Sequence, residues 1–303
     1  MSESHISKSG TFQAEPQKAQ SQDLPGLEKK MEPTSESTKL EGAGQAYEYL
    51  AAGKLRGCKA LITGGDSGIG RSVAVLFARE GADVSIVYLP EEQPDAEDTR
   101  KMVEEEGGTC LLIPGDLMDY KKCKDAVQKH VDAFGVIHVL VNNASKQMMC
   151  DDFADIDMEN VESVFRSNIL QMFAMTKYAL PYMKKGGSII NTTSTVAFRG
   201  TAAMVDYAAT KGAIVSFTRS LAMNLMPKGI RVNAVAPGPV HTHCNRRLVR
   251  RNRWKGLGMD QPQERCYVSN RIDSFPVDSA IEREELADTI VRKSSGSFPG
   301  FAL

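Results

Sequence analysis

From Lys59 onward the sequence alternates short apolar runs with segments of helical period, and this rhythm constrains the fold more than any other feature. The runs are Lys59 to Thr63, Val84 to Tyr88, Cys110 to Pro114, Val139 to Asn142, Ser188 to Thr192 and Arg231 to Val235; helical stretches at 69–80, 96–106, 121–134, 159–183 and 206–226 fall between them. Most of these runs are continuously apolar and β-branched, the pattern of strands buried on both faces. A helix between successive strands is the connection that parallel pairing requires. The spacing therefore predicts an α/β fold, a doubly wound parallel sheet with helices on both faces.

Residues 1–55 lie outside this rhythm. They are rich in Gln, Ser, Glu, Lys and Pro, with isolated apolar residues such as Phe12, Leu24 and Leu27. Such a segment is either a tail without a fold of its own or an arm that packs on a neighbouring subunit. The expected organisation is a polar extension over 1–55, a catalytic domain over 56–242 and an atypical tail over 243–303. Across the 303 residues, 37 Lys and Arg stand against 38 Asp and Glu, a balance that excludes a dedicated nucleic-acid binder. No apolar run reaches the roughly 18 residues of a membrane span and no secretory leader is legible, so no membrane partner is expected and the chain reads as cytoplasmic. Cys58, Cys110, Cys123, Cys150, Cys244 and Cys266 show no Cys-x-x-Cys spacing, which argues for free thiols in a reducing compartment.

The first strand runs directly into Thr63-Gly64-Gly65-Asp66-Ser67-Gly68-Ile69-Gly70, which opens a helix. Glycines there give a tight turn and let the backbone approach an anion at a helix N-terminus, the requirement for binding a dinucleotide pyrophosphate. A glycine-rich turn can also simply connect strand to helix; its place at the first crossover favours the nucleotide. The second strand ends in Tyr88-Leu89-Pro90 and not in the acid that grips a ribose 2′-hydroxyl, which leaves room for a 2′-phosphate and tilts the choice slightly to NADP over NAD. Asp116 is placed either to contact the adenine amino group or to serve as a turn aspartate. Asn142-Asn143-Ala144 ends the fourth strand at the edge where ligands bind in such sheets, a position that also suits ordinary turn asparagines.

Tyr207 and Lys211, four apart on one helix, share a face, and Ser194 precedes the tyrosine by thirteen positions. A phenol acting as acid and base at neutral pH needs its pKa lowered by about three units, roughly 4 kcal/mol. The Lys211 ammonium and an oxidised nicotinamide are the available positive charges. Ser194 follows the fifth strand, where its hydroxyl can polarise a carbonyl. Asn168 is a polar side chain that its helix does not need, suited to holding a water that connects Lys211 to solvent.

Together Thr63-Gly64-x-x-x-Gly68-x-Gly70, Asn142-Asn143-Ala144, Asn168, Ser194, Tyr207-x-x-x-Lys211 and Pro237-Gly238 resemble the short-chain dehydrogenase/reductase family, in order and spacing, over about residues 56–242. The extension, Gly-Gly-Asp-Ser-Gly-Ile-Gly, Tyr88-Leu89-Pro90 and Ile113-Pro114-Gly115-Asp116 resemble its general-stress subgroup. The resemblance implies a Rossmann-like single domain. It makes Tyr207 the proton donor, Lys211 its activator and ribose ligand, Ser194 the carbonyl stabiliser and Asn168 the fourth member of a tetrad. It also puts Gly64, Ser67, Gly68, Ile69, Gly70, Tyr88, Asp116, Asn143, Val240 and Thr242 against the cofactor. Ser145 departs from the family, which has glycine there.

After Thr242 the pattern fades. The closing strand of the family is not legible, so the sixth strand is expected to become a sheet edge, a liability for stability and aggregation. Ile281 to Val291 is a short amphipathic helix candidate. Arg246, Arg247, Arg250, Arg251, Arg253 and Lys255 surround Trp254, a solvated loop or a patch for an anionic partner. His241, His243 and Cys244 crowd too closely for a tetrahedral site, so no metal is expected. Met148, Met149 and Met204 fill core space or line an apolar pocket. The expected activity is hydride transfer between NAD(P)(H) and a ketone or secondary alcohol, in secondary metabolism or a stress response, by a homo-oligomer of the kind common in the family. The competing expectation is a nucleotide-binding protein without catalysis, or a paralogue made defective by its tail.

Overall fold

A computed structural model describes residues 26–30, 37–42 and 45–238. Readings that fall on 239–303, among them Val240, Thr242, the His241–Cys244 cluster, the arginine-rich segment and the candidate helix at 281–291, lie outside the described residues.

The six apolar runs are six strands: β3 (Lys59–Thr63), β4 (Asp83–Tyr88), β5 (Cys110–Pro114), β6 (Val139–Asn142), β7 (Ser188–Thr192) and β8 (Arg231–Val235), after a short antiparallel pair, β1 (Lys39–Gly42) and β2 (Gln45–Glu48), in the extension. The sheet order is β5-β4-β3-β6-β7-β8, parallel throughout. The order reverses between β3 and β6, where Thr63 pairs with Asn142. In this Rossmann-like topology a crevice for ligands is expected at that reversal, beyond the carboxyl ends of the strands. Among the described residues β8 is an edge.

Period-two geometry explains the unbroken apolar strands. Ala60 and Ile62 pack towards Val73, Leu76 and Phe77 of α1 (Gly68–Arg79), whereas Leu61 joins the opposite core. In that core Leu61 meets Val127 of α3 (Tyr120–Phe134), Met175 of α5 (Gln171–Ala179) and Leu225 of α7 (Val205–Leu225). Each fully buried aliphatic side chain contributes about 1.5–3 kcal/mol relative to exposure. Between β4 and β5 runs α2 (Gln93–Glu105), on the α1 side. Local chemistry sets the ends: Asp119 accepts from Lys121 N (2.9 Å) to start α3, and Gly135, at φ +77°, ends it by donating to Val131 O (2.7 Å).

The single helix expected over 159–183 is divided. It begins as α4 (Met158–Phe165), widens into one π-turn at Arg166–Leu170, continues as α5 and tightens into a 3-10 turn at Leu180–Tyr182, where Pro181 removes an N–H donor. The remaining helix, α6 (Val196–Arg199), is a single turn after β7.

The described parts of the extension pack on the same chain's α1 and α2. The buried carboxylate of Glu80, at the end of α1, receives the Tyr49 hydroxyl, Ala52 N (3.2 Å) and Lys54 N (2.6 Å), and Leu55 enters the core. The polar composition gave no sign of this packing, because its holding contacts are hydrogen bonds spanning about 30 residues.

Candidate active site

The crevice is tied together at its floor by Thr63. Its hydroxyl accepts from Asn143 N (2.9 Å) and Ala144 N (3.0 Å), joining the loop after β3 to the loop after β6. Asn143 Nδ2 donates to Gly64 O (3.0 Å), and Gly64 N donates to Val87 O (2.7 Å). Gly64 has φ +62° and Gly68 φ +55°, the left-handed region that favours glycine. At Gly70 the restriction is spatial: a Cβ would sit 1.8 Å from Gly64 O and 2.8 Å from Asn143 Nδ2. The turn and the start of α1 are thus packed too closely to admit any side chain at 70. This suits the diphosphate of a nicotinamide dinucleotide.

Tyr88 ends β4 with its ring buried and its hydroxyl donating to Gln93 Oε1. Ser67 stands in extended conformation just before α1. Asp116 acts as a turn aspartate, its Oδ1 accepting from Met118 N (2.9 Å). Below the turn lies a buried ionic group that sequence reasoning missed. Arg71 donates through Nη2 to Asp66 O (2.7 Å) and Asp95 O (3.0 Å) and through Nε to Thr99 Oγ1 (2.8 Å). Glu28, from the extension, accepts from Gly68 N (2.8 Å) and lies 3.4 Å from Arg71 Nη1. Burial, reinforced by the neighbouring Asp95 charge and opposed by Ser67 and Arg71, pushes the Asp66 carboxyl up to about 6; burial and the Asp66 charge push Glu92 up to about 8.

The second part of the site is carried by β7, α7 and the π-turn. Lys211 is 1% exposed; its Nζ donates to Thr192 O (3.0 Å) and lies 5.3 Å from the centre of the Tyr207 ring, as their separation by one helical turn expects. Thr193 Oγ1 donates to Lys211 O (2.7 Å), fixing α7 to the end of β7. Ser194 follows directly, its hydroxyl donating to Pro237 O (3.4 Å) and accepting from Val196 N (3.3 Å).

Asn168 lies inside the π-turn, where the extra residue turns its side chain inward. Its Oδ1 accepts from Lys146 N (2.8 Å), and its Nδ2 donates to Lys146 O (2.8 Å) and Thr210 Oγ1 (3.1 Å). Thr210 in turn donates to Tyr207 O (2.7 Å). Both amide hydrogens are therefore committed to holding the loop after β6 against α7. Cys150 N donates to Ala203 O (2.9 Å), bringing Met148 and Met149 to the loop that leads into Tyr207. Lys146 and Thr210 carried no signal in the sequence, because neither residue type is distinctive without its neighbours.

The described cysteines, Cys58, Cys110, Cys123 and Cys150, are free thiols, and burial raises Cys110 and Cys123 to about 12, far from nucleophilic readiness. No helix among the described residues is long and apolar enough to cross a membrane.

Comparison with known proteins bears on the same region. The family profile described as short chain dehydrogenase matches residues 59–253, running past Thr242 into the tail. General stress protein 39 of Bacillus subtilis (strain 168) is 44% identical over 80% of this chain and 86% of its own length. The NADPH-dependent aldehyde reductase 1, chloroplastic, of Arabidopsis thaliana is 47% identical over 72% of this chain and 78% of its own. A short-chain dehydrogenase from Burkholderia cenocepacia J2315, solved in complex with NADP, superposes with a TM-score of 0.69 at 28% identity, covering 80% of this chain and 91% of that one. With a parallel sheet in this order and a profile match over residues 59–253, the chain belongs to the short-chain dehydrogenase family and is an NAD(P)-dependent oxidoreductase.

Proposed function

We propose that the chain interconverts a ketone or aldehyde and the corresponding alcohol, with Tyr207 exchanging the proton at the substrate oxygen. The observation that carries this is the Tyr207–Lys211 pair, a buried ammonium 5.3 Å from the phenol ring on a helix anchored beside Ser194. When bound, the nicotinamide supplies or accepts the hydride. Gly64, Ser67, Gly68, Ile69, Gly70, Tyr88, Asp116 and Asn143 hold the dinucleotide at its adenosine and diphosphate end, and Tyr207 and Lys211 face its ribose; Val240 and Thr242 complete this set in the proposal. Lys211 favours the phenolate through its charge. Ser194 donates a hydrogen bond to the carbonyl oxygen and strengthens it as negative charge develops there. Asn168 keeps α7 and the loop after β6 in register, and the main-chain carbonyl groups that a π-turn frees are where a relay water would be held.

The cofactor preferred is NADP(H). Tyr88 in place of an acid supports it, as do the NADP complex of the Burkholderia protein and the NADPH dependence named for the Arabidopsis one. Met148, Met149 and Met204 line an adaptable apolar substrate pocket. The setting is a cytoplasmic homo-oligomer acting on stress-generated carbonyls, supported by the likeness to General stress protein 39. The test is Tyr207→Phe: turnover across an aldehyde and ketone panel falls by more than a thousandfold while NADPH titration is unchanged. Retained turnover overturns the assignment.

A further inference from the structure

Glu28 lies forty residues before Gly68, in a segment whose composition reads as a tail or an arm for a neighbouring subunit, yet it is 3% exposed and bonded to the glycine turn. Its carboxylate takes the N–H of Gly68, the first residue of α1, and pairs with Arg71. The main chain around it is held in place: Glu28 N and Lys29 N donate to the two oxygens of Asp95, at 2.6 and 3.1 Å, and Asp95 is fully buried. Arg71 then spans from this pair to the carbonyl of Asp66, inside the turn. Asp66 is 2% exposed, and its Oδ2 has no hydrogen-bond partner.

The physical consequence follows from helix termini. The first N–H groups of α1 have no partners within the helix, and they are what a diphosphate would meet. Closing Gly68 N with a carboxylate from beneath fixes the direction of the following N–H groups, those of Ile69 and Gly70, before any ligand arrives. It also stabilises the helix end through its dipole.

We propose that Glu28 of the N-terminal extension is a positioning residue for the dinucleotide site, preorganising the glycine turn through Gly68 and Arg71, so that the extension contributes to cofactor affinity. This rests on the nucleotide reading of the turn. The effect belongs to binding and not to the proton chemistry at Tyr207, which is carried by different elements.

The test uses the full chain with Glu28→Ala, Glu28→Gln and, as a control in the same segment, Lys29→Ala, which removes only the exposed ion pair to Asp98. NADPH affinity is read by fluorescence titration, kcat at saturating NADPH by turnover, and the turn directly by hydrogen exchange over residues 64–72 in protein without nucleotide. Glu28→Ala is expected to weaken NADPH about tenfold and to speed exchange in the turn, with kcat unchanged. Glu28→Gln keeps an acceptor for Gly68 N and recovers about a third of the lost affinity, and Lys29→Ala binds as the parent does. Unchanged exchange and affinity in Glu28→Ala overturn the proposal, as does a parallel loss of kcat, which marks a general structural role. Tighter binding in Glu28→Ala overturns it too, because the carboxylate would then be competing with the diphosphate. If the parent protein binds neither NADPH nor NADH, the nucleotide reading itself fails, whereas the exchange result still decides whether Glu28 holds the turn.

Discussion

Replacing Gly70 with alanine tests the glycine turn at its tightest point. The new Cβ would lie 1.8 Å from Gly64 O, and that carbonyl must retreat by about 1.6 Å to reach ordinary contact at 3.4 Å. It is not free to do so: Asn143 Nδ2 holds the oxygen, and Gly64 N is bound to Val87 O at 2.7 Å. Overpacking costs about 1–3 kcal/mol and the loss of one of these hydrogen bonds about 1 kcal/mol more, so Gly70→Ala is expected to destabilise by about 2–4 kcal/mol. For a domain of this size that lowers the melting temperature by about 4–16 °C. NADPH binding should fall by at least a hundredfold, because the first turn of α1 no longer presents its N–H groups in line. Gly107→Ala separates clash from backbone strain, since Gly107 has φ +84° but open space around its Cβ position. That variant should lose about 1–2 kcal/mol with NADPH affinity intact. Differential scanning fluorimetry and fluorescence titration give both numbers, and a Gly70→Ala protein that melts and binds like the parent refutes this close packing.

Other consequences are tested in the same way. Asn168→Ala removes the partners of the Lys146 main chain and the bond that the Thr210 hydroxyl accepts; it should cost about 1–3 kcal/mol in urea titration and lower kcat more than it raises the cofactor KM. Gly212 in α7 has open space around it, so Gly212→Ala should add about 0.5–1 kcal/mol; a loss would show that another copy of the chain covers this face. Asp66 and Glu92 have folded-state values raised to about 6 and about 8, so the folded protein binds more protons than the unfolded chain between about pH 4 and 8. Stability should therefore fall as pH rises through that window, and Glu92→Gln should flatten the fall and stabilise the protein at pH 9 relative to the parent. A urea midpoint for Glu92→Gln that tracks the parent at every pH contradicts the buried-carboxyl picture.

Much of the site was legible because its residues lie at fixed spacings along regular elements. Tyr207 and Lys211 meet because four positions make one helical turn, and Gly64, Gly68 and Gly70 mark a turn that only glycine can build. Asn168 was legible as a polar residue on a helix, but the π-turn that aims it at Lys146 and Thr210 was not. A one-residue widening depends on what the helix packs against and leaves no periodic trace.

The local sequence by itself determined where β3 to β8 lie along the chain and their parallel sense, since continuous β-branched runs separated by helices have few other ways to bury both faces. It also determined where the nucleotide turn and the tyrosine–lysine pair lie among them. Tertiary structure alone decided that Glu28 and Glu80 anchor the extension to α1, that Arg71 is enclosed by carboxylates, and that burial raises the carboxyls of Asp66 and Glu92. These are contacts between residues 24 to 67 positions apart, made by ordinary polar side chains whose energies depend on burial, and burial is a property of the assembled layers.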